Sequence, residues 1–152
     1  MKWGYKMVAY DEDSLNFIFR QVMRMYHQRT HMLLSKLGVY PGQPSVLFNL
    51  MDKDGINQTE LAKKLKIRNA TVTVMLKRME KNDLIYRKTD AEDLRVSRVY
   101  LTNTGRSMVA EMQDIMKSLE KECFEGFTTE EKILLKRFLI HILHNLQKVC
   151  EE

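Results

Sequence analysis

The chain has 152 residues, 44% hydrophobic and 30% charged, a balance that supports one packed core and excludes a disordered polar tail. Only six Gly and two Pro punctuate it, which argues against a meander of short strands and for long helices. The net charge of +5 lies wholly in residues 55–105, where eleven Lys/Arg face six acids. That is the footprint of a polyanion-binding module, although a solvated surface that happens to be basic would look the same until pattern decides.

In chain order, Leu15, Ile18, Phe19, Val22, Met23, Tyr26, Met32, Leu33 and Leu34 recur at helical spacing. They predict a helix over about 11–36, with Asp11, Glu12 and Asp13 suited to its positive end. Gly38 and Pro41 end it. A shorter helix carries Val46, Leu47, Leu50 and Met51 and closes at Asp54-Gly55. Its start stays open, because Pro41 and Pro44 both favour a first turn. Asn57-Gln58-Thr59-Glu60 reads as a capping box ahead of Leu61, Ala62 and Leu65, in a helix ending near Ile67.

The next helix is expected from about Asn69 to Asn82, with Val72, Met75, Leu76 and Met79 as its core stripe. Ala70, Val74, Lys77 and Lys81 form the opposite face, flanked by Thr71, Thr73 and Arg78. Leu84-Ile85-Tyr86-Arg87 and Arg98-Val99-Tyr100-Leu101 are β-prone, and the polar stretch from Lys88 through Arg95 joins them as a hairpin with a long loop. After Thr102, Met108, Met112, Ile115, Met116, Leu119 and Cys123 mark a long helix stopped at Gly126. Thr128 and Glu131 offer a second capping box. The last helix is apolar around most of its circumference and so should be buried on several sides.

The expected fold is therefore mainly α, with a small β part, in the order α-α-α-α-β-β-α-α. A winged helix-turn-helix lobe occupies 40–102, and 11–37 with 103–150 form a helical dimerisation lobe of the same single domain. An α-helix fits the major groove of DNA, and residues near its N-terminus reach base edges. An Arg-tipped hairpin loop suits the narrow minor groove, where the potential is most negative. The most economical burial for the last helix is against its copy in a second subunit. A two-fold dimer also sets two recognition helices about 34 Å apart, in successive major grooves of a pseudo-palindromic site.

Asn57-Gln58-Thr59-Glu60-Leu61-Ala62 resembles the start of the turn-helix unit in the MarR family of transcription regulators (multiple-antibiotic-resistance type). Ala70-Thr71-Val72-Thr73 with Arg78-Met79-Glu80-Lys81 is similar to that family's recognition helix. The most specific match is Asp93-Leu94-Arg95 followed by Val99-Tyr100-Leu101-Thr102-Asn103-Thr104-Gly105, which is similar to the wing signature, a DxR with LT and then Gly at the right distance. The element order resembles the family over roughly 11–150, and the motifs fall within 57–105. The resemblance implies a triangular homodimer with the outer helices as its interface. It also implies Arg95 as the wing-tip minor-groove contact, Asp93 bracing it, and the helix from Asn69 reading the major groove. By the same resemblance, an aromatic or phenolic compound bound between dimer helices and reading heads favours a head separation that no longer fits the DNA.

Three positions depart from the family pattern. Asp83 stands where Gly is usual, and Arg68 where a small hydroxyl cap is common, so Asn69 is expected as the cap. Val74 stands where Arg is frequent, which suggests apolar contact with a thymine methyl. The residues expected to touch double-stranded DNA are Arg68, Asn69, Thr71, Thr73, Val74, Lys77, Arg78, Lys88, Arg95 and Arg98, with Asp93 as wing support. Met23, Tyr26, His27, Phe48 and Met112 are expected to line a small-molecule effector pocket, because methionine adapts to varied apolar shapes. Plain core is the commoner role for a Met stripe at helical spacing.

His27 with His31 and His141 with His144 put two rings on one helix face, yet no acidic or Cys ligand falls in the same local run, so no metal and no cofactor is expected. Cys123 and Cys150 lack a CxxC spacing. Cys123 has Glu120, Glu122 and Glu125 nearby, which disfavours a reactive thiolate and suggests an inert small hydrophobe. No Gly-rich phosphate loop, HExxH or GxSxG occurs, so an enzyme is not expected. Residues 1–10 show no apolar signal region, and no charge-free run nears the roughly 18 residues of a membrane span, which together suggest a soluble, cytoplasmic regulator with no membrane partner. The alternative is a metal- or protein-responsive winged-helix interaction module without ligand-gated DNA release.

Overall fold

A computed structural model describes residues 13–150. Along it run α1 (Leu15–Ser35), α2 (Gln43–Asp52), β1 (Ile56–Asn57), α3 (Gln58–Leu65), α4 (Asn69–Lys81), β2 (Ile85–Thr89), β3 (Ser97–Leu101), α5 (Asn103–Cys123) and α6 (Thr129–Cys150). Asp11 and Glu12, expected at the head of the first helix, lie outside the described residues. Ser14 caps α1, its hydroxyl accepting from the Phe17 N–H at 3.2 Å. The open start of α2 resolves with Gly42 as cap and Pro44 in the second helical position.

Strand β1 corrects the expected order, which becomes α-α-β-α-α-β-β-α-α. Two residues are too few to show a period of two. The strand exists because β3 holds it, with Ile56 opposite Val99 and Asn57 opposite Arg98 in a sheet ordered β1-β3-β2. The preceding turn aims it. Gly55 donates its N–H to the Val99 carbonyl at 2.9 Å, and Asp54 Oδ1 accepts from the Leu101 N–H at 3.0 Å. The Asp54-Gly55 pair that stops a helix therefore also seats the chain on the sheet edge.

The described chain divides into two compact units, one running through Met116 and one beginning at Lys117. In the first, Val46, Leu47 and Leu50 of α2, Leu61 of α3, and Val72, Leu76 and Met79 of α4 meet Ile56, Ile85, Val99 and Leu101 of the sheet and Met112 of α5 in one core. Nearly every one of these is shut off from solvent, and each contributes roughly 1.5–3 kcal/mol by leaving water. Three short helices and a ribbon, none able to bury its apolar face alone, close on one another.

In the second unit, both arms of the second capping box form. Thr128 donates its N–H to Glu131 Oε2 at 2.8 Å, and Glu131 donates its N–H to Thr128 Oγ1 at 3.2 Å. Phe124 and Phe127 pack edge to face with centroids 6.0 Å apart. The expectation that the last helix is buried on several sides is not met within the chain. No residue of α6 is buried, and Ile133, Phe138, Leu143 and Leu146 are all half exposed or more. Among the described residues no helix is long and apolar enough to cross a membrane.

Candidate nucleic-acid interface

The face that α4 presents follows from its core stripe. With Val72, Leu76 and Met79 inward, Ala70, Thr71, Val74, Lys77, Arg78 and Lys81 are exposed, Val74 to 70%. The turn into α4 relies on Lys66, which takes a left-handed φ of 54° at the end of α3. The cap of α4 is Arg68, at φ −70° and ψ 143°, and its side chain makes no cap hydrogen bond. This corrects the expectation for Asn69, which is the first helical residue. At this helix start the Thr71 N–H turns back to the Arg68 carbonyl at 3.0 Å, and the Val72 N–H donates to the same oxygen at 3.2 Å.

A polar pin fixes α3 against α4. Gln58 Nε2 donates to Thr73 Oγ1 at 2.6 Å, and the same hydroxyl donates to the Asn69 carbonyl at 2.9 Å. Asn57 caps α3 by accepting from the Glu60 N–H at 2.8 Å, but the Glu60 carboxylate turns to Lys53 Nζ at 2.8 Å, so only one arm of the first capping box forms. Lys53 holds the Glu60 carboxyl below its ordinary pKa. The Arg78 guanidinium lies over the Tyr40 ring, 3.3 Å from its centroid.

The wing is built on two aspartates. Asp90 Oδ1 accepts from the N–H groups of Glu92 and Asp93 at 2.8 and 3.0 Å, an Asx-type turn that starts the tip. Its Oδ2 accepts from Arg98 Nε, and Arg98 also donates to the Gly55 carbonyl at 3.1 Å. The Arg98 hydrogen bond, then the two backbone N–H groups, hold the Asp90 carboxyl down at about 2. Asp93 clasps Arg95. Its Oδ1 accepts from the Arg95 backbone N–H and from Nε, both at 3.0 Å, and Oδ2 accepts from NH2 at 3.2 Å. That clasp lowers the Asp93 pKa. The Arg95 side chain is nonetheless 91% exposed, a cation at the hairpin tip with its aim already set.

At the root of the hairpin, Arg87 donates from Nε and NH2 to Glu80 Oε2 at 3.1 and 2.6 Å and ties β2 to α4. Asp83, where the family pattern has Gly, adopts φ 54°. An aspartate tolerates this conformation because its side chain finds a local partner, here the Thr104 hydroxyl at 2.8 Å. Thr102 donates to the Asp83 carbonyl and accepts from the Gly105 N–H at 2.9 Å, which caps α5. Gly105 is required by contact. A Cβ there would run into the Leu84 carbonyl oxygen.

Of the expected DNA contacts, Arg68, Asn69, Thr71, Val74, Lys77 and Arg78 share the exposed side of α4, and Lys88 is exposed on β2. Thr73 and Arg98 are half-buried and spend their polar groups on Gln58 and Asp90. An open cleft of about 590 Å³, lined by Lys63 and Arg95, the Glu60 carboxylate, and Asn57, Gln58, Thr59, Val96 and Ser97, lies between the start of α3 and the wing. Of the expected effector residues, Met23, Tyr26 and His27 are exposed on α1, Phe48 is half-buried against the core, and Met112 is wholly inside it. Among the described residues no three His, Cys, Asp or Glu gather as metal ligands. Cys123, expected as a small hydrophobe, is exposed. Gln58, Tyr40 and Asp90 are the participants that sequence reasoning passed over. Only Asp90 carried a signal, three residues before Asp93 in a polar loop.

A two-helix turn backed by a third helix and followed by a cationic hairpin defines a winged helix-turn-helix protein. The MarR family model matches residues 39–97. Transcriptional regulator HosA of Escherichia coli is 30% identical over 125 residues, covering 82% of this chain and 93% of that protein. The transcriptional repressor IacR of Pseudomonas putida is 26% identical, covering 90% and 81%. The crystal structure of MepR, a transcription regulator of the Staphylococcus aureus multidrug efflux pump MepA, superposes with a TM-score of 0.78 at 27% identity over 88% of this chain and 98% of that one. The S. aureus MepR–DNA complex superposes with a TM-score of 0.69 at 27% identity over 90% and 99%. The chain belongs to the MarR family and is a DNA-binding transcription regulator.

Proposed function

We propose that the protein is a homodimeric repressor that reads a pseudo-palindromic duplex, with α4 in the major groove and Arg95 in the flanking minor groove. The exposed cationic face of α4 beside a pre-aimed, 91% exposed Arg95 is the observation that carries the proposal. In this assignment Thr71, Val74 and Lys77 meet base edges, Arg68, Asn69, Arg78 and Lys88 meet the duplex around them, and Asp93 braces the wing tip. Thr73 and Arg98 hold the reading elements in register rather than reaching outward.

Dimerisation through 11–37 and 103–150 is supported by the apolar surface left open in each unit. In α6, Ile133, Phe138, Leu143 and Leu146 face solvent, and in α1 so do Leu15, Ile18 and Val22. Patches of this kind mark an interface in a soluble protein. An aromatic or phenolic effector would meet Met23, Tyr26 and His27 first. Met112 could join only after the core around Phe48 rearranges. The same role puts the protein in the cytoplasm, with the DNA it controls.

Footprinting on duplexes enriched by the protein from a random pool, together with sedimentation of the complex, tests the proposal. The expected result is two protected half-sites centred about one helical turn apart, bound by two chains. A single protected half-site bound by one chain would overturn it.

A further inference from the structure

We infer that Tyr40 is a positioning residue for DNA reading: its ring, fixed by the loop between α1 and α2, presents the Arg78 guanidinium to the duplex, which rests on α4 being the recognition helix and deepens that role. Arg78 is exposed near the end of α4, and a long cationic side chain in that position ordinarily samples many rotamers. Here its guanidinium carbon sits 3.3 Å from the Tyr40 centroid. The loop that carries the ring is itself held. Tyr40 donates its backbone N–H to Gln43 Oε1 at 3.0 Å, and Gln43 is 1% exposed. Val39 is buried beside it, and the loop turns through left-handed glycines at Gly38 and Gly42, with φ of 72° and 86°.

A second contact clamps the same loop to α4. A Cβ on Gly42 would lie 2.7 Å from Met75 Cε, so the loop backbone rests on Met75, three residues before Arg78 and on the same side of the helix. Stacking occupies the face of the guanidinium, whereas its five N–H donors lie in the plane. They remain directed away from the ring, in the fork geometry that grips guanine O6 and N7 or a phosphate. A lysine could not stack and grip at once. Tyr40 thereby removes, before DNA arrives, part of the ordering cost that binding otherwise carries.

The test measures affinity for a fluorescent duplex enriched by the protein from a random pool, using Tyr40→Phe, Tyr40→Leu, Arg78→Ala and the Tyr40→Leu/Arg78→Ala pair, with a thermal melt of each. Tyr40→Phe keeps the aromatic face and should bind as wild type. Tyr40→Leu should bind about two- to ten-fold more weakly, the cost of ordering one long side chain on binding, while its melt should fall only slightly, by the loss of one exposed cation–π contact. That loss should vanish in the Arg78→Ala background. An equal loss in the Arg78→Ala background would make Tyr40 merely structural and overturn the inference. So would wild-type binding by Tyr40→Leu while Arg78→Ala is impaired, which would leave α4 as the reading helix. Wild-type binding by Arg78→Ala would overturn both the positioning role and the assignment of Arg78 to the DNA face.

Discussion

Gly105→Ala sets two effects of opposite sign against each other. On helix propensity alone, replacing Gly105, in the first turn of α5, by alanine should stabilise the protein by at most about 1 kcal/mol. The surroundings say otherwise. The new Cβ would run into the Leu84 carbonyl oxygen, with the Leu84 carbonyl carbon at 3.0 Å and Leu101 Cδ2 at 3.2 Å. Neither the oxygen nor the carbon can swing aside like a side-chain tip. The Leu84 carbonyl accepts from the Thr102 N–H at 3.2 Å, and the Leu84 N–H donates to the Met79 carbonyl at 3.0 Å. Relief therefore requires α5 to lift away from the root of the hairpin, with loss of core contact at buried Leu84 and Leu101. Overpacking of this kind costs about 1–3 kcal/mol, and more where backbone must move. The net expectation is destabilisation by about 1–2 kcal/mol, which lowers Tm by about 2–8 °C for a chain this size. Urea and thermal melts measure it, with Ala110→Gly at an exposed site on the same helix as the propensity control. A Tm equal to or above wild type for Gly105→Ala would refute the contact argument.

Arg95→Ala should leave stability within about 0.5 kcal/mol, since the side chain is exposed, but should weaken binding to all duplexes and lower the salt slope by about 1. Unchanged binding would remove the wing from the interface. Thr73→Val deletes the acceptor for Gln58 and should cost about 0.5–1.5 kcal/mol in melts, with a parallel loss of DNA affinity as α4 shifts on α3. The Asp90 carboxyl titrates at about 2 in the folded chain against an ordinary 3.8. Because its folded value is the lower, its stabilisation is complete above the ordinary value, falls progressively as pH drops below 3.8, and is gone once pH has fallen through about 2. An NMR titration should show no change at Asp90 near neutral pH, and Arg98→Ala should return the carboxyl toward its ordinary value. No such rise would remove Arg98 as the main cause.

The helices were legible because each has a stripe of period 3.6 and a chemical stop. Leu61-Ala62 and Val72-Leu76-Met79 bury as their spacing demands, and Thr128 with Glu131 forms its cap in full. The wing was legible for a different reason: Asp93 and Arg95 are two residues apart, close enough for a local clasp. What escaped depends on contacts between distant segments. Strand β1 is specified by β3, more than forty residues later, and nothing within Ile56-Asn57 announces it. Gln58 reaches Thr73 and Tyr40 reaches Arg78 only once the helices have packed. The cap of α4 was misplaced because Asn69 has the better capping chemistry, while the backbone turn after Lys66 puts Arg68 at the boundary. The last helix is apolar around most of its circumference, which predicts burial on several sides, yet within the described residues none of its side chains is buried.

The most direct test of the central claim is the salt dependence of duplex affinity for the wild-type protein. If the exposed cations of α4 and the wing grip phosphates, log K should fall linearly with log salt, with a slope of about −0.9 for each phosphate neutralised. Several such contacts per subunit predict a steep line, together with tighter binding to an enriched duplex than to a random one. A flat salt profile, or no binding to duplex DNA even at low salt, would contradict the account.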